Sequence, residues 1–188
     1  MKNNSLESSD PLTQIIRNAG IQTWTELCEF VQRLPYGRNS SRTDFSLVLT
    51  EKRGTCSSKH AFLKKVADFN NLTNIQLTIG LYRMSEQNTP NIGSVLQENG
   101  MAYIPEAHCY LHIEGKRVDL TNETSDIHKI EADILEEIDI QAEQVGEFKV
   151  VYHQSYLKKW LKENDLPFDF DQLWAIREQC IENLSRNR

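Results

Sequence analysis

The stretch GTCSSKHAFLKKVA, residues 54–67, opens with a breaker and a cap and continues as an apolar helix. Gly54 or Thr55 is suited to cap a helix over about residues 56–69, on which Ala61, Leu63, Val66, Ala67 and Phe69 form a broad apolar stripe. Lys59, Lys64 and Lys65 interrupt that stripe, so the spacing predicts a helix buried along one side. Cys56 falls in the first turn, where unpaired amides and the positive end of the helix dipole favour a thiolate.

Working outward, NIQLTIGLY (residues 74–82) alternates cleanly, with Ile75, Leu77, Ile79 and Leu81 on one face, and reads as a strand. A long connection over 84–100 follows and suggests a rim or lid. AHCYLHIEGKRVDLT, residues 107–121, reads as a hairpin turning at Glu114-Gly115. That turn sets Tyr110 opposite Asp119 and His108 opposite Thr121, leaving His108 and Asp119 as diagonal neighbours about 7–8 Å apart on one face.

Towards the N-terminus, Asp10-Pro11 predicts a helix start for about 11–18, and a second helix is expected over 24–34, stopped by Pro35-Tyr36-Gly37. GRNSSRT (37–43) is a polar loop, and 44–50 is ambiguous between helix and strand. Towards the C-terminus a helix is expected over 127–138, a strand over 147–152, and helices over 154–163 and 170–184 around the breaker Leu166-Pro167-Phe168. Amphipathic helices beside a mostly antiparallel sheet predict an α+β fold, with a flexible segment 1–9 and a single domain over 10–188.

Composition narrows the function. The chain has 188 residues and a formal charge of −6, and no dense basic run is available to follow a phosphate backbone, so nucleic acid is not an expected partner. No apolar stretch approaches the roughly 20 residues a membrane helix needs, and the polar start lacks a signal-peptide core. Cys28, Cys56, Cys109 and Cys180 form no CxxC pair, which suits a reducing, cytoplasmic setting better than a disulfide scaffold.

A thiol, an imidazole and a carboxylate in the order Cys56, His108, Asp119 make a candidate nucleophile, base and orienting acid. Each also has a plainer reading: Cys56 as a core or capping residue, His108 as a half-buried strand histidine, Asp119 as a hairpin flank. Arg53, His60, Tyr110 and His112 are candidate supporting residues, and Gln32, Tyr36 and Asn39 are candidate oxyanion donors. Cys56, His60, His108 and Cys109 raise a zinc reading, but adjacent strand residues point to opposite faces, so no metal and no organic cofactor are expected.

The two quoted motifs resemble the nucleophile segment and the histidine-and-aspartate segment of the transglutaminase-like family. The resemblance covers about residues 36–122. It implies a papain-like core with the cysteine-bearing helix packed on an antiparallel sheet, and it assigns Cys56 as nucleophile, His108 as base and Asp119 as orienting acid. Cys109 and Tyr110 stand where that family usually has alanine and tryptophan, and Leu120 where proline is common. The implied activity is cysteine-dependent cleavage of a peptide or other amide through an acyl thioester, acting on a peptide, protein or small amide. The alternatives are a non-catalytic peptide-binding or assembly module on the same fold, and an amine acyltransferase or protein cross-linking enzyme.

Overall fold

The computed structural model describes residues 4–186, with Arg186 described by its backbone alone. Helix α1 (Pro11–Asn18) starts where Asp10 accepts a hydrogen bond from the Thr13 amide at 2.9 Å. Helix α2 (Trp24–Arg33) carries a reciprocal capping box between Thr23 and Glu26. Within the segment expected to be flexible, 1–9, Ser5 bridges Thr23, and buried Leu6 donates its amide to the Gln22 carbonyl at 2.8 Å. Residues 1–3 lie outside the described residues. The ambiguous stretch 44–50 contains a single helical turn, α3 (Leu47–Thr50).

Helix α4 (Cys56–Phe69) is capped by Thr55, whose hydroxyl accepts from the Ser58 amide while Ser58 Oγ accepts from the Thr55 amide. It is buried on more sides than the stripe predicts: Lys59, His60, Ala61, Phe62 and Leu63 are all 0% exposed. The cause is packing on opposite sides, against the sheet and against α1 and α2.

The sheet comprises β1 (Ile75–Met84), β2 (Ile104–Ile113), β3 (Lys116–Val118) and β4 (Ile134–Ile140), all antiparallel in the order β3-β2-β1-β4. Short helices α5 (Val95–Glu98) and α6 (His128–Glu131) lie in the connections. Leu111 pairs with Val118 and His112 with Arg117, the expected register. Glu114 and Gly115 both have positive φ, 51° and 77°, as a two-residue turn of the primed type requires.

Two expected elements are corrected. The helix over 127–138 is only α6, and ILEEIDI (134–140) is strand β4. A register shift beside Leu81 and Tyr82 inserts an extra residue in β4. Ile134 and Ile138 therefore reach opposite sides of the sheet, although their spacing of four looks helical. The expected strand 147–152 lies inside helix α7 (Glu147–Glu163), which buries His153, Leu157 and Trp160 on one side. Helix α8 (Phe170–Arg186) follows.

Both faces of the sheet are covered. Leu77, Ile79, Leu81, Cys109 and Leu111 pack with α1, α2 and α4, while Tyr82, Met84, Ile104 and Tyr110 pack with residues of α5, α7 and α8. Gly80 is a notch on the second face: a Cβ there would stand 2.5 Å from Tyr110 Oη, which donates to Glu137 Oε1 at 2.6 Å. Gly80→Val is expected to lower stability by about 1–3 kcal/mol through overpacking, measured by urea unfolding, with Tyr110→Ala relieving much of the clash. Among the described residues, no helix is long and apolar enough to cross a membrane.

Candidate active site

The N-terminus of α4 meets the end of the β2–β3 hairpin, and this meeting assembles the three residues. His108, on β2, places Nε2 2.8 Å from Asp119 Oδ2. The other carboxylate oxygen accepts from the Thr121 amide at 2.9 Å and the Thr121 hydroxyl at 2.5 Å. Asp119 is thereby held as an ionised acceptor, and its bond to Nε2 leaves the Nδ1 side of the ring for Cys56, with which His108 interacts electrostatically. The ring also sits edge-on to Tyr82, with centroids 6.2 Å apart. Cys56 is 9% exposed as a residue and lines two cavities.

The charges reinforce one another. Burial pushes the Cys56 thiol up, but the Lys149 ammonium and then His108 pull it below the usual thiol range. Burial favours a neutral His108; Asp119 and Cys56 outweigh that and hold its pKa well above 6.5. Burial likewise works against the Asp119 carboxylate, and His108 overcomes it, leaving the group far below the ordinary range. The favoured state is thiolate, imidazolium and carboxylate in a row.

Two buried side chains lock this arrangement from behind. His60 bridges the Cys56 carbonyl and the Leu120 amide, each at 2.8 Å. A carbonyl only accepts and an amide only donates, so Nδ1 carries the proton and Nε2 accepts. Burial, the main cause, lowers the His60 pKa to about 4 and keeps the ring neutral. Lys59 donates to the Leu34 carbonyl at 2.5 Å and the Thr121 carbonyl at 2.6 Å. Both residues join the cysteine turn to the loop that carries Asp119. A Cβ on Gly54 would lie 2.8 Å from Lys59 Cγ, so the glycine before the cap makes room for the lysine stem.

Sequence reasoning missed Lys149 and Glu106. Lys149, in the segment expected to be a strand, donates to Ser57 Oγ at 2.7 Å, and that oxygen is 3.8 Å from Cys56 Sγ. Glu106 lies two residues before His108 on β2 and is buried in a two-point ion pair with Arg177 at 2.7 and 2.5 Å. The only sequence signal for Glu106 is its position at i−2 from His108, which places it on the same strand face.

Several candidates have other duties. Gln32 donates to the Asn122 carbonyl at 3.3 Å, and Asn39 donates to Glu51 and to the Leu47 and Arg53 carbonyls. Tyr36 lines both cavities beside Cys56. Arg53 is half exposed and pairs with Glu51 at 3.6 Å. Tyr110 is fully buried, and His112 faces Glu137 at 3.5 Å, so these two belong to the polar network on the sheet. The zinc set loses His60, whose two ring nitrogens both hold backbone groups.

Cavities of about 390 and 480 Å³ flank Cys56. Asn88, Thr89 and Asn91 from the 84–100 connection line the larger one, so that segment is a rim of the cleft. A thiolate between two hollows, with a proton donor beside it, is arranged to attack a carbonyl that has substituents on both sides. No family model, curated protein or solved structure matches the chain.

Proposed function

We propose that the chain is a cysteine amidase or peptidase of the transglutaminase-like, papain-like kind. The observation that supports this best is the 2.8 Å His108–Asp119 bond on a ring that interacts electrostatically with Cys56 and lowers its thiol pKa. The Cys56 thiolate attacks the amide carbonyl to give a tetrahedral oxyanion. As that species collapses the C–N bond breaks, and His108 gives its proton to the departing amine. The product is a thioester on Cys56. Neutral His108 then takes a proton from water as the water attacks the thioester carbon. Collapse expels the thiolate and releases a carboxylic acid, restoring the starting ion pair. Asp119 holds the ring and supports its charge throughout.

The test is a screen of fluorogenic peptide amides and small amides, with intact-mass detection of an acyl adduct after acid quench. The expected result is amine release together with an adduct that maps to Cys56 and is absent from Cys56→Ala. Amine release that survives Cys56→Ala would contradict the assignment. Added hydroxylamine separates the resolving step: a hydroxamate product shows that the thioester accepts amines as well as water.

A further inference from the structure

We propose that the smaller cavity beside Cys56 binds a carboxylate of the substrate, with Lys149 and Arg42 as its charge partners. This inference rests on the amide-cleaving reading and adds to it the class of amide: one bearing an acidic group close to the scissile bond.

The chain is acidic, with a formal charge of −6, yet this hollow of about 390 Å³ is lined by four cationic side chains and only two carboxylates. The carboxylates are already matched. Arg177 holds Glu106 at two points and reaches Glu178 at 2.5 Å, and Arg38 pairs with Glu178 at 2.8 Å. Lys149, which also faces the Cys56 thiolate, and Arg42 remain without a carboxylate. Neither has a carboxylate within ion-pair distance among the described residues. His153 adds no competing charge, because burial, its main influence, lowers its pKa, and its Nε2–H donates to the Pro105 carbonyl at 2.9 Å.

Position then specifies the ligand. The half-buried Lys149 ammonium gives one of its three N–H donors to Ser57 Oγ, which leaves donors for an incoming oxygen. Ser57 directly follows the nucleophile, so an anion on Lys149 lies within about one residue of the attacked carbonyl. Arg42 reaches the same hollow from the exposed 37–43 loop and offers a planar fork suited to a carboxylate. A positive, partly enclosed hollow also concentrates anions near its mouth.

The experiment compares alkylation of Cys56 by iodoacetate and by iodoacetamide, two reagents of similar size that differ in charge. Both react with the same thiolate, so the ratio of their rates cancels any change in thiol pKa. The ratio is measured at pH 7 in the native protein, Lys149→Gln and Arg42→Gln, with modification followed by peptide mass. The expected result is a fall of about fivefold in Lys149→Gln and a smaller fall, about twofold, in Arg42→Gln, both shrinking in high salt. A ratio unchanged in both variants while Cys56 still reacts quickly would overturn the carboxylate site and leave the amide reading standing. A native Cys56 that resists both reagents would instead remove the amide reading, and this inference with it. Protection of Cys56 from iodoacetamide identifies the source of the carboxylate. Acetyl-Gly-Gly tests a terminal carboxylate, and acetyl-Glu-Gly-amide tests an acidic side chain. Protection by either supports the site, and protection by neither counts with an unchanged ratio against it.

Discussion

Exchanging His108 for alanine is expected to lower amide turnover by on the order of 10⁴-fold, the largest kinetic effect of any change that keeps the thiol. On the proposed amide-cleaving mechanism, the variant loses both the imidazolium that lowers the Cys56 thiol pKa and the proton donor for the leaving amine. Asp119→Asn should cost less, because the ring stays in place while its charge and tautomer lose support at the 2.8 Å bond. The native pH profile should be a bell. Its acid limb lies where the Cys56 thiol, lowered by Lys149 and His108 against its burial, takes up a proton. Its alkaline limb lies where His108, raised by Asp119 and Cys56, gives one up. Asp119→Asn should draw in the alkaline limb, since it removes the largest influence that raises His108. Initial rates from pH 4 to 10 on a substrate from the screen would check this, and a His108→Ala variant within tenfold of native would contradict it.

Arg177→Ala is expected to have the largest effect on stability, a loss of about 3–5 kcal/mol by urea unfolding, because it strands a buried carboxylate. Glu106 is 5% exposed, and Arg177 supplies both of its charge-assisted hydrogen bonds. Burial raises the Glu106 pKa, and Arg177 reverses this to bring it to about 2. A depressed native pKa gives stability that is complete above the unfolded value near 4.5 and is lost as pH falls towards 2. Arg177→Ala should therefore lose most near neutral pH and converge on the native protein in acid. Pairing it with Glu106→Gln should recover part of the loss, since the stranded charge is then gone. The ion pair sits two residues from His108, so the same variant should also loosen the base, seen as a lower kcat.

Much of the arrangement was legible in the residues. Thr55 at a cap, Cys56 in the first turn and a Glu114-Gly115 hairpin fixed which residues could meet, because caps and two-residue turns are local. The Glu114 turn also set the register that puts His108 and Asp119 on one face, and that register is present. What escaped the reading depends on partners distant in sequence. Lys59 looks like an interruption of an apolar stripe, yet it is buried because the Leu34 and Thr121 carbonyls receive it. Lys149 falls in the segment expected as strand 147–152, whereas a helix there is favoured by burying His153, Leu157 and Trp160 at helical spacing. β4 was hidden by its own extra residue, which gives Ile134 and Ile138 the spacing of a helix face.

The pH dependence of iodoacetamide alkylation at Cys56, in native protein and in His108→Ala, tests the central claim most directly. The account predicts fast reaction at pH values well below the ordinary thiol range near 8.5, with the profile in His108→Ala moving back towards that range. An ordinary thiol profile in the native protein, indifferent to His108, would contradict it.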